Sequence, residues 1–291
     1  MSNILYYGGH ISIEKGIINA LQQIQNMNGN FIQIFLSNPM TAKFNKNNKK
    51  YSETSLVEIY DYMLKTNTKL VIHLPYVINL ANPSFTDKYF QLICDQLDIS
   101  NLIGSIGCVV HVGKHLEQTY EDGINNMKKS LKQIINYMKS KNMKTHIILE
   151  TGSCQGTELL SSYDNSLTEF AEFYNSFSTD EKKYFGICVD TCHIFAGGYD
   201  ISKINIIDQF FTEFDTMIGF SHLDVIHLND SKNKYNSHVD RHENLGDGYI
   251  GIEGISYFIQ HALTNKIPLI LETPSKYESE IQIIKKLIKI K

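Results

Sequence analysis

Histidines and carboxylates recur in this chain at one kind of place, directly after short apolar runs. His73 follows Leu70-Val71-Ile72, His111 follows Val109-Val110, and Glu150 follows Ile147-Ile148-Leu149. Asp190 follows Ile187-Cys188-Val189, His227 follows Val225-Ile226, and Glu272 follows Leu269-Ile270-Leu271. His193 comes three residues after Asp190. Asp240 and His242 stand two apart, which in an extended loop turns both side chains to one side, and with His193 they make a three-ligand nitrogen and oxygen set. Burying so many ionisable groups unpaired would cost several kcal/mol for each. Cations remove that cost, because they neutralise the carboxylates while imidazoles supply lone pairs. One histidine after an apolar run is commonly a satisfied core or rim residue. Six successive runs that each end in His, Asp or Glu point instead to a metal centre.

The runs read as strands over 5–10, 31–36, 69–74, 108–112, 145–151, 185–191, 225–229 and 268–273. Amphipathic stretches between them read as helices, among them 12–27, 55–65, 85–102, 120–139, 166–176 and 254–264, with 275–290 as a closing helix. Eight strands alternating with helices require parallel pairing through helical crossovers. A closed barrel and an open doubly wound sheet both satisfy that. No G-x-G-x-x-G follows the first strand and no G-x-x-x-x-G-K-[ST] occurs, so the nucleotide-binding open sheets lose their signature. The expected fold is therefore α/β, a (β/α)8 TIM barrel. Its C-terminal rim, where such barrels carry their active sites, would gather the strand-end ligands.

At 291 residues the chain slightly exceeds one such barrel of ~250 residues. With no linker, repeat or low-complexity tract it reads as a single domain over 1–291. No apolar run approaches the ~20 residues of a membrane span, and Met1–Tyr7 lacks the basic segment of a signal peptide. An intracellular protein is expected, cytoplasmic or, in a eukaryotic host, nuclear. Nothing in the sequence signals oligomerisation, so a monomer is expected. Cys94, Cys108, Cys154, Cys188 and Cys192 are too scattered for a disulfide framework and read as buried thiols. The formal charge of −4 argues against nucleic-acid binding by bulk positive charge.

Three blocks carry a resemblance to a known family. They are Val189-Asp190-Thr191-Cys192-His193-Ile194-Phe195-Ala196-Gly197-Gly198-Tyr199-Asp200, then Ile226-His227-Leu228-Asn229-Asp230-Ser231-Lys232, then Val239-Asp240-Arg241-His242-Glu243-Asn244-Leu245-Gly246-Asp247-Gly248. Together with Gly8-Gly9-His10 near one end and Glu272-Thr273-Pro274 near the other, they resemble endonuclease IV, the family 2 apurinic/apyrimidinic endonucleases. The resemblance implies three zinc ions. One would be held by His73, His111 and Glu150; a second would share Glu150 and add Asp190, His227 and Glu272; the third would take His193, Asp240 and His242. Glu150 and Glu272 would be the catalytic carboxylates. The implied activity is base excision repair: hydrolysis of duplex DNA 5′ to an abasic site, leaving a 3′-hydroxyl and a 5′-deoxyribose phosphate. In such a mechanism the bridged pair of ions activates a water near neutral pH and the third takes up charge on the departing oxygen. Four carboxylates (−4) and three Zn²⁺ (+6) would bring the site to +2, which answers the objection from net charge.

The resemblance also implies that Tyr76 enters DNA at the lesion. Val77 stands where a leucine is usual and Met40 where an arginine occurs in well-known members, so intrusion would rest on apolar bulk. Lys114 and Arg241 are further candidates for phosphate contact, as are Lys43, Lys46, Lys49, Lys50, His115, Lys232 and Lys234. A solvated lysine-rich loop, or for Arg241 a contact that orders its own loop, is the plainer alternative. His10 reads as structural or as a support for the ligands, His146 as structural, and Asn229 and Asp230 as residues that could orient ligands. Two other functions fit parts of the pattern. A sugar isomerase or epimerase uses similar strand-end sites with one or two metals, and an inactive lesion-binding relative would keep the fold without the chemistry.

Overall fold

The structure, a computed structural model, describes residues 4–85 and 87–289. Eight parallel strands close a barrel: β1 (Tyr7–His10), β2 (Phe31–Phe35), β3 (Lys69–His73), β4 (Gly107–His111), β5 (His146–Glu150), β6 (Phe185–Asp190), β7 (Leu223–Leu228) and β10 (Leu269–Leu271). A two-stranded antiparallel ribbon, β8 (Asp230–Ser231) and β9 (His242–Glu243), rises from the loop after β7. Around the barrel run α1 (Ile17–Asn26), α2 (Glu53–Thr66), α3 (Asp87–Leu102), α4 (Tyr120–Ser140), α5 (Thr168–Asn175), α6 (Thr179–Lys182), α7 (Thr191–Ala196), α8 (Ile204–Met217), α9 (Gly251–Thr264) and α10 (Tyr277–Lys289).

The expected strands are all present and mostly shorter at their ends. The expected helix over 12–27 begins only at Ile17, because Gly16 adopts φ 91 and its amide closes a turn onto Ile13. Of the expected helices over 85–102 and 275–290, Thr86 and Ile290 lie outside the described residues. Three helices absent from the sequence reading, α6, α7 and α8, fill the crossovers on either side of β6.

The barrel has an inner core of its own, built from Phe31, Val71, Val109, Ile148, Cys188, Val225 and Ile270. A larger outer core lies between the strands and the helices. Strand side chains alternate between the two. Two residues beyond each inner-core position the chain therefore faces inward again, now at the C-terminal rim. Those positions are Gln33, His73, His111, Glu150, Asp190, His227 and Glu272. Period-two geometry alone gathers them into one ring.

At the opposite end of β5, His146 meets Asp224 at 2.7 Å, clear of the rim as expected for a structural residue. Burial disfavours an imidazolium there, but the hydrogen bond and the charge of Asp224 together more than offset it and hold the His146 pKa above 6.5. A raised imidazole pKa contributes stability that is fully present below about pH 6 and fades as the pH rises through the folded-state value. Substituting His146→Gln should cost about 1 kcal/mol in urea melts at acid pH and progressively less in alkali. An equal loss at both ends of the pH range would show that the ion pair is not the source.

Candidate metal centre

The strand ends converge at close range. His73 Nε2 lies 3.3 Å and His111 Nε2 3.4 Å from Glu150 Oε2. The other oxygen of Glu150 lies 2.8 Å from His227 Nδ1, which is also 3.1 Å from Glu272 Oε2. Asp240 bridges the remaining imidazoles, with His193 Nε2 at 3.2 Å and His242 Nε2 at 3.3 Å. Ligand atoms of His73, His111 and Glu150 all lie within 4.8 Å of one another, as do those of Glu150, Asp190, His227 and Glu272, and those of Asp190, His193 and His242. These groups open into a cavity of about 270 Å³, with Asp190 and His227 beneath it.

The donor set fits divalent cations. His193 Nε2 and His242 Nε2 are buried and have no hydrogen-bond partner among the described residues, although Asp240 is close to both. Two imidazoles and a carboxylate thus stand within ion-pair distance with no hydrogen bond made between them, a donor set that fits a cation. Electrostatics agrees with this. Burial opposes a charged Asp240, yet His193 and His242 hold its carboxyl well below the usual carboxylate range. Glu150 and Glu272 are likewise held low against burial, Glu150 by His111 and His227, Glu272 chiefly by His227. His242 is pushed up to about 9 by Asp190 and Asp240, again against burial. Cys188 lies within ligand distance of Glu150 and His227, and Cys192 of Asp240 and His242, while burial pushes both thiols up to about 12.

Supporting residues hold this arrangement. Asp190 caps α7, its Oδ1 accepting from the amide of His193 at 2.9 Å, while its Oδ2 accepts from Asn229 Nδ2 at 2.7 Å. Asn229 Oδ1 in turn accepts from the amide of Glu272. Asp230, fully buried, accepts from the amides of Ser231, Gly246, Gly248, Ile250 and Gly251 and so folds the long loop that carries Asp240 and His242. Any side chain at Gly248 would collide with the Ser231 carbonyl at 2.4 Å. Gln155 accepts from the Asp240 amide at 3.0 Å. The sequence reading passed over Gln33, which is fully buried among the ligands. The available signal was its position two residues after Phe31, the same offset that sets the ligands of the other strands.

The residues considered for DNA contact surround this mouth unevenly. Tyr76 is 51% exposed, and its ring lies 5.4 Å from those of His73, His111 and Phe35. Met40 is 68% exposed and Val77 half-buried. Lys114 pairs with Glu158 at 3.3 Å, Lys46 with Asp95 at 2.7 Å, and Arg241 donates to the Asp240 carbonyl at 2.5 Å. His10 packs at a tilt against Phe35, ring centroids 4.5 Å apart, and meets Gln33 at 3.1 Å, beside the rim cluster.

A closed parallel barrel with a carboxylate and imidazole centre on its C-terminal rim defines a class, and the chain matches the xylose isomerase-like TIM barrel family over residues 21–289. Among solved structures, endonuclease IV from Thermus thermophilus shares the fold with a TM-score of 0.78 at 23% identity, over 98% of this chain and 100% of that one. A D-tagatose 3-epimerase-like protein does so at 0.68 and 18% identity, over 97% of each chain. Fold alone therefore does not separate nuclease from epimerase. Sequence does. The chain is 34% identical to the probable endonuclease 4 of Clostridium botulinum (strain Alaska E43 / Type E3), over 97% of this chain and 98% of that protein. It is 35% identical to the probable endonuclease 4 of Methanosphaera stadtmanae, over 97% and 99%. The chain belongs to the endonuclease 4 family.

Proposed function

We propose that this protein is a zinc-dependent apurinic/apyrimidinic endonuclease that cuts duplex DNA 5′ to abasic sites, leaving a 3′-hydroxyl and a 5′-deoxyribose phosphate in base excision repair. The observation that carries this reading is the convergence of all nine ligand-type side chains, in three overlapping sets, at one barrel rim of an endonuclease 4 family member. The first zinc would sit with His73, His111 and Glu150, the second with Glu150, Asp190, His227 and Glu272, and the third with His193, Asp240 and His242. When bound, the ions supply Lewis acidity and positive charge to a phosphodiester and its attacking water.

The chain's own residues do the rest. Glu150, held as an anion, joins the first two sets, and Glu272, held likewise, completes the second. The Asp240–His242 loop, tied down through Asp230 and Gln155, faces them across the cavity, where a phosphate could be gripped from both sides. Tyr76, with Val77 and Met40, offers apolar bulk to the gap that a missing base leaves. Lys114 and Arg241, now engaged with Glu158 and the Asp240 carbonyl, are placed to exchange those partners for backbone phosphates. No helix among the described residues is long and apolar enough to cross a membrane. A repair role places the protein with the cell's DNA, acting as a monomer.

The test pairs zinc stoichiometry with nicking of a duplex that carries a tetrahydrofuran abasic analogue. Three zincs per chain are expected, with cleavage 5′ to the analogue that disappears on prolonged chelation and returns with zinc. One or two manganese or magnesium ions with sugar turnover would establish an epimerase instead. Tight binding without nicking would mark an inactive relative.

A further inference from the structure

The five imidazoles of the centre do not present the same nitrogen. His73 donates Nδ1–H to the Leu74 carbonyl at 2.7 Å, His193 to Thr151 at 2.8 Å and His242 to Glu272 at 3.2 Å, so each turns Nε2 to the carboxylates. His111 also points Nε2 at Glu150. His227 alone of the five is reversed, with Nδ1 toward Glu150 and Glu272.

Two side chains besides the carboxylates touch this ring, Cys188 and, at its far nitrogen, Gln33. The amide of Gln33 lies between Glu272 Oε1, at 2.5 Å, and His227 Nε2, at 2.7 Å. An ionised carboxylate only accepts, so the amide atom beside Glu272 is the donor Nε2. The opposite end is then the oxygen, which only accepts, and His227 Nε2 must carry the proton. With zinc bound, the lone pair of His227 would then be on Nδ1, on the side of the carboxylates. The same Gln33 nitrogen lies 3.1 Å from His10 Nδ1, which leaves the amide no room to turn over without setting its oxygen against a carboxylate. The tautomers of His73, His193 and His242 rest on backbone carbonyls, which no substitution removes. This one rests on a replaceable residue.

We infer that Gln33 is a positioning residue, one that fixes His227 as an Nδ1 ligand and holds Glu272 beside it, so that it sets the affinity of the metal shared by Asp190, His227 and Glu272. The inference rests on the proposed function in taking these residues as ligands of zinc. Partners that orient metal-bound imidazoles typically change metal affinity by ~10–100-fold when lost.

The experiment uses the full chain loaded with zinc. With nitrogen-15 histidine, two-bond proton–nitrogen spectra of the unsubstituted protein should show four imidazoles bound through Nε2 and one, His227, bound through Nδ1 with its proton on Nε2. Five rings bound through Nε2 would overturn the inference whatever any variant does. In competition with a chromophoric zinc chelator, Gln33→Met, which keeps length without hydrogen bonds, should weaken one zinc by about 10–100-fold and leave the others within about threefold. Unchanged retention of all of them would overturn it. An unsubstituted protein that takes up no zinc would overturn this inference and the proposed function together. Zinc uptake without nicking of the abasic duplex would remove only the function, and the Gln33 comparison would still decide this point.

Discussion

Replacing Glu272 by glutamine should lower single-turnover cleavage of the abasic duplex by about 10³-fold while leaving the barrel folded. The size follows from charge: losing one of four carboxylates that face the cations removes on the order of 4 kcal/mol of stabilisation for the transition state. The new amide also places an N–H₂ group or a weaker acceptor where Gln33 and His227 now meet an anion. Folding is spared because β10 pairs with β1 and β7 through backbone contacts of Leu269, Ile270 and Leu271. Quenched-flow nicking and a thermal melt read the two effects separately. Activity within a fewfold of the parent would remove Glu272 from the machinery.

The second large effect is expected at a residue that faces no metal. Changing Asp230 to alanine should cost roughly 3–5 kcal/mol in denaturant unfolding, because five backbone amides lose their common buried acceptor at once. Those amides shape the segment that presents Asp240 and His242, so cleavage should fall by at least about 10²-fold even where the variant remains folded. Zinc bound by His73, His111 and Glu150 should stay, since no part of that set depends on the loop. A variant with parental stability would show that the amides find other partners.

Much of this architecture was legible in the chain. The barrel followed from alternation and count, and the cluster of imidazoles and carboxylates on its rim from polar residues that end apolar runs. What escaped did so for physical reasons. The short α7 has too few residues for a period to emerge, and its start is written only in Asp190, whose side chain doubles as a cap. The crossover helix α8 is dense in isoleucine and phenylalanine, residues that favour strands, although its 204, 207, 211 and 214 spacing is helical. Gln33 carries no charge and is not a common ligand, so it read as part of an ordinary strand; only the inward register beyond Phe31 sets it apart. Asn229 and Asp230 could be weighed as orienting residues, but which carboxylate or amide each serves depends on contacts 16 to 43 residues away in sequence. The surroundings of the lysines are the least legible, since Lys46 and Lys114 have carboxylate partners that spacing does not reveal.

Asp190 commits one oxygen to starting a helical turn and leaves the other for the barrel mouth. Its rotamer is therefore dictated from two directions, and the imidazole of His193, one turn along, inherits that orientation. Tolerance at this position should be narrower than its chemistry suggests: a glutamate has the charge but is one methylene too long, and an asparagine has the length but not the charge. Two clusters that look separate on the rim thus share one hinge-free joint, and neither can drift without carrying the other.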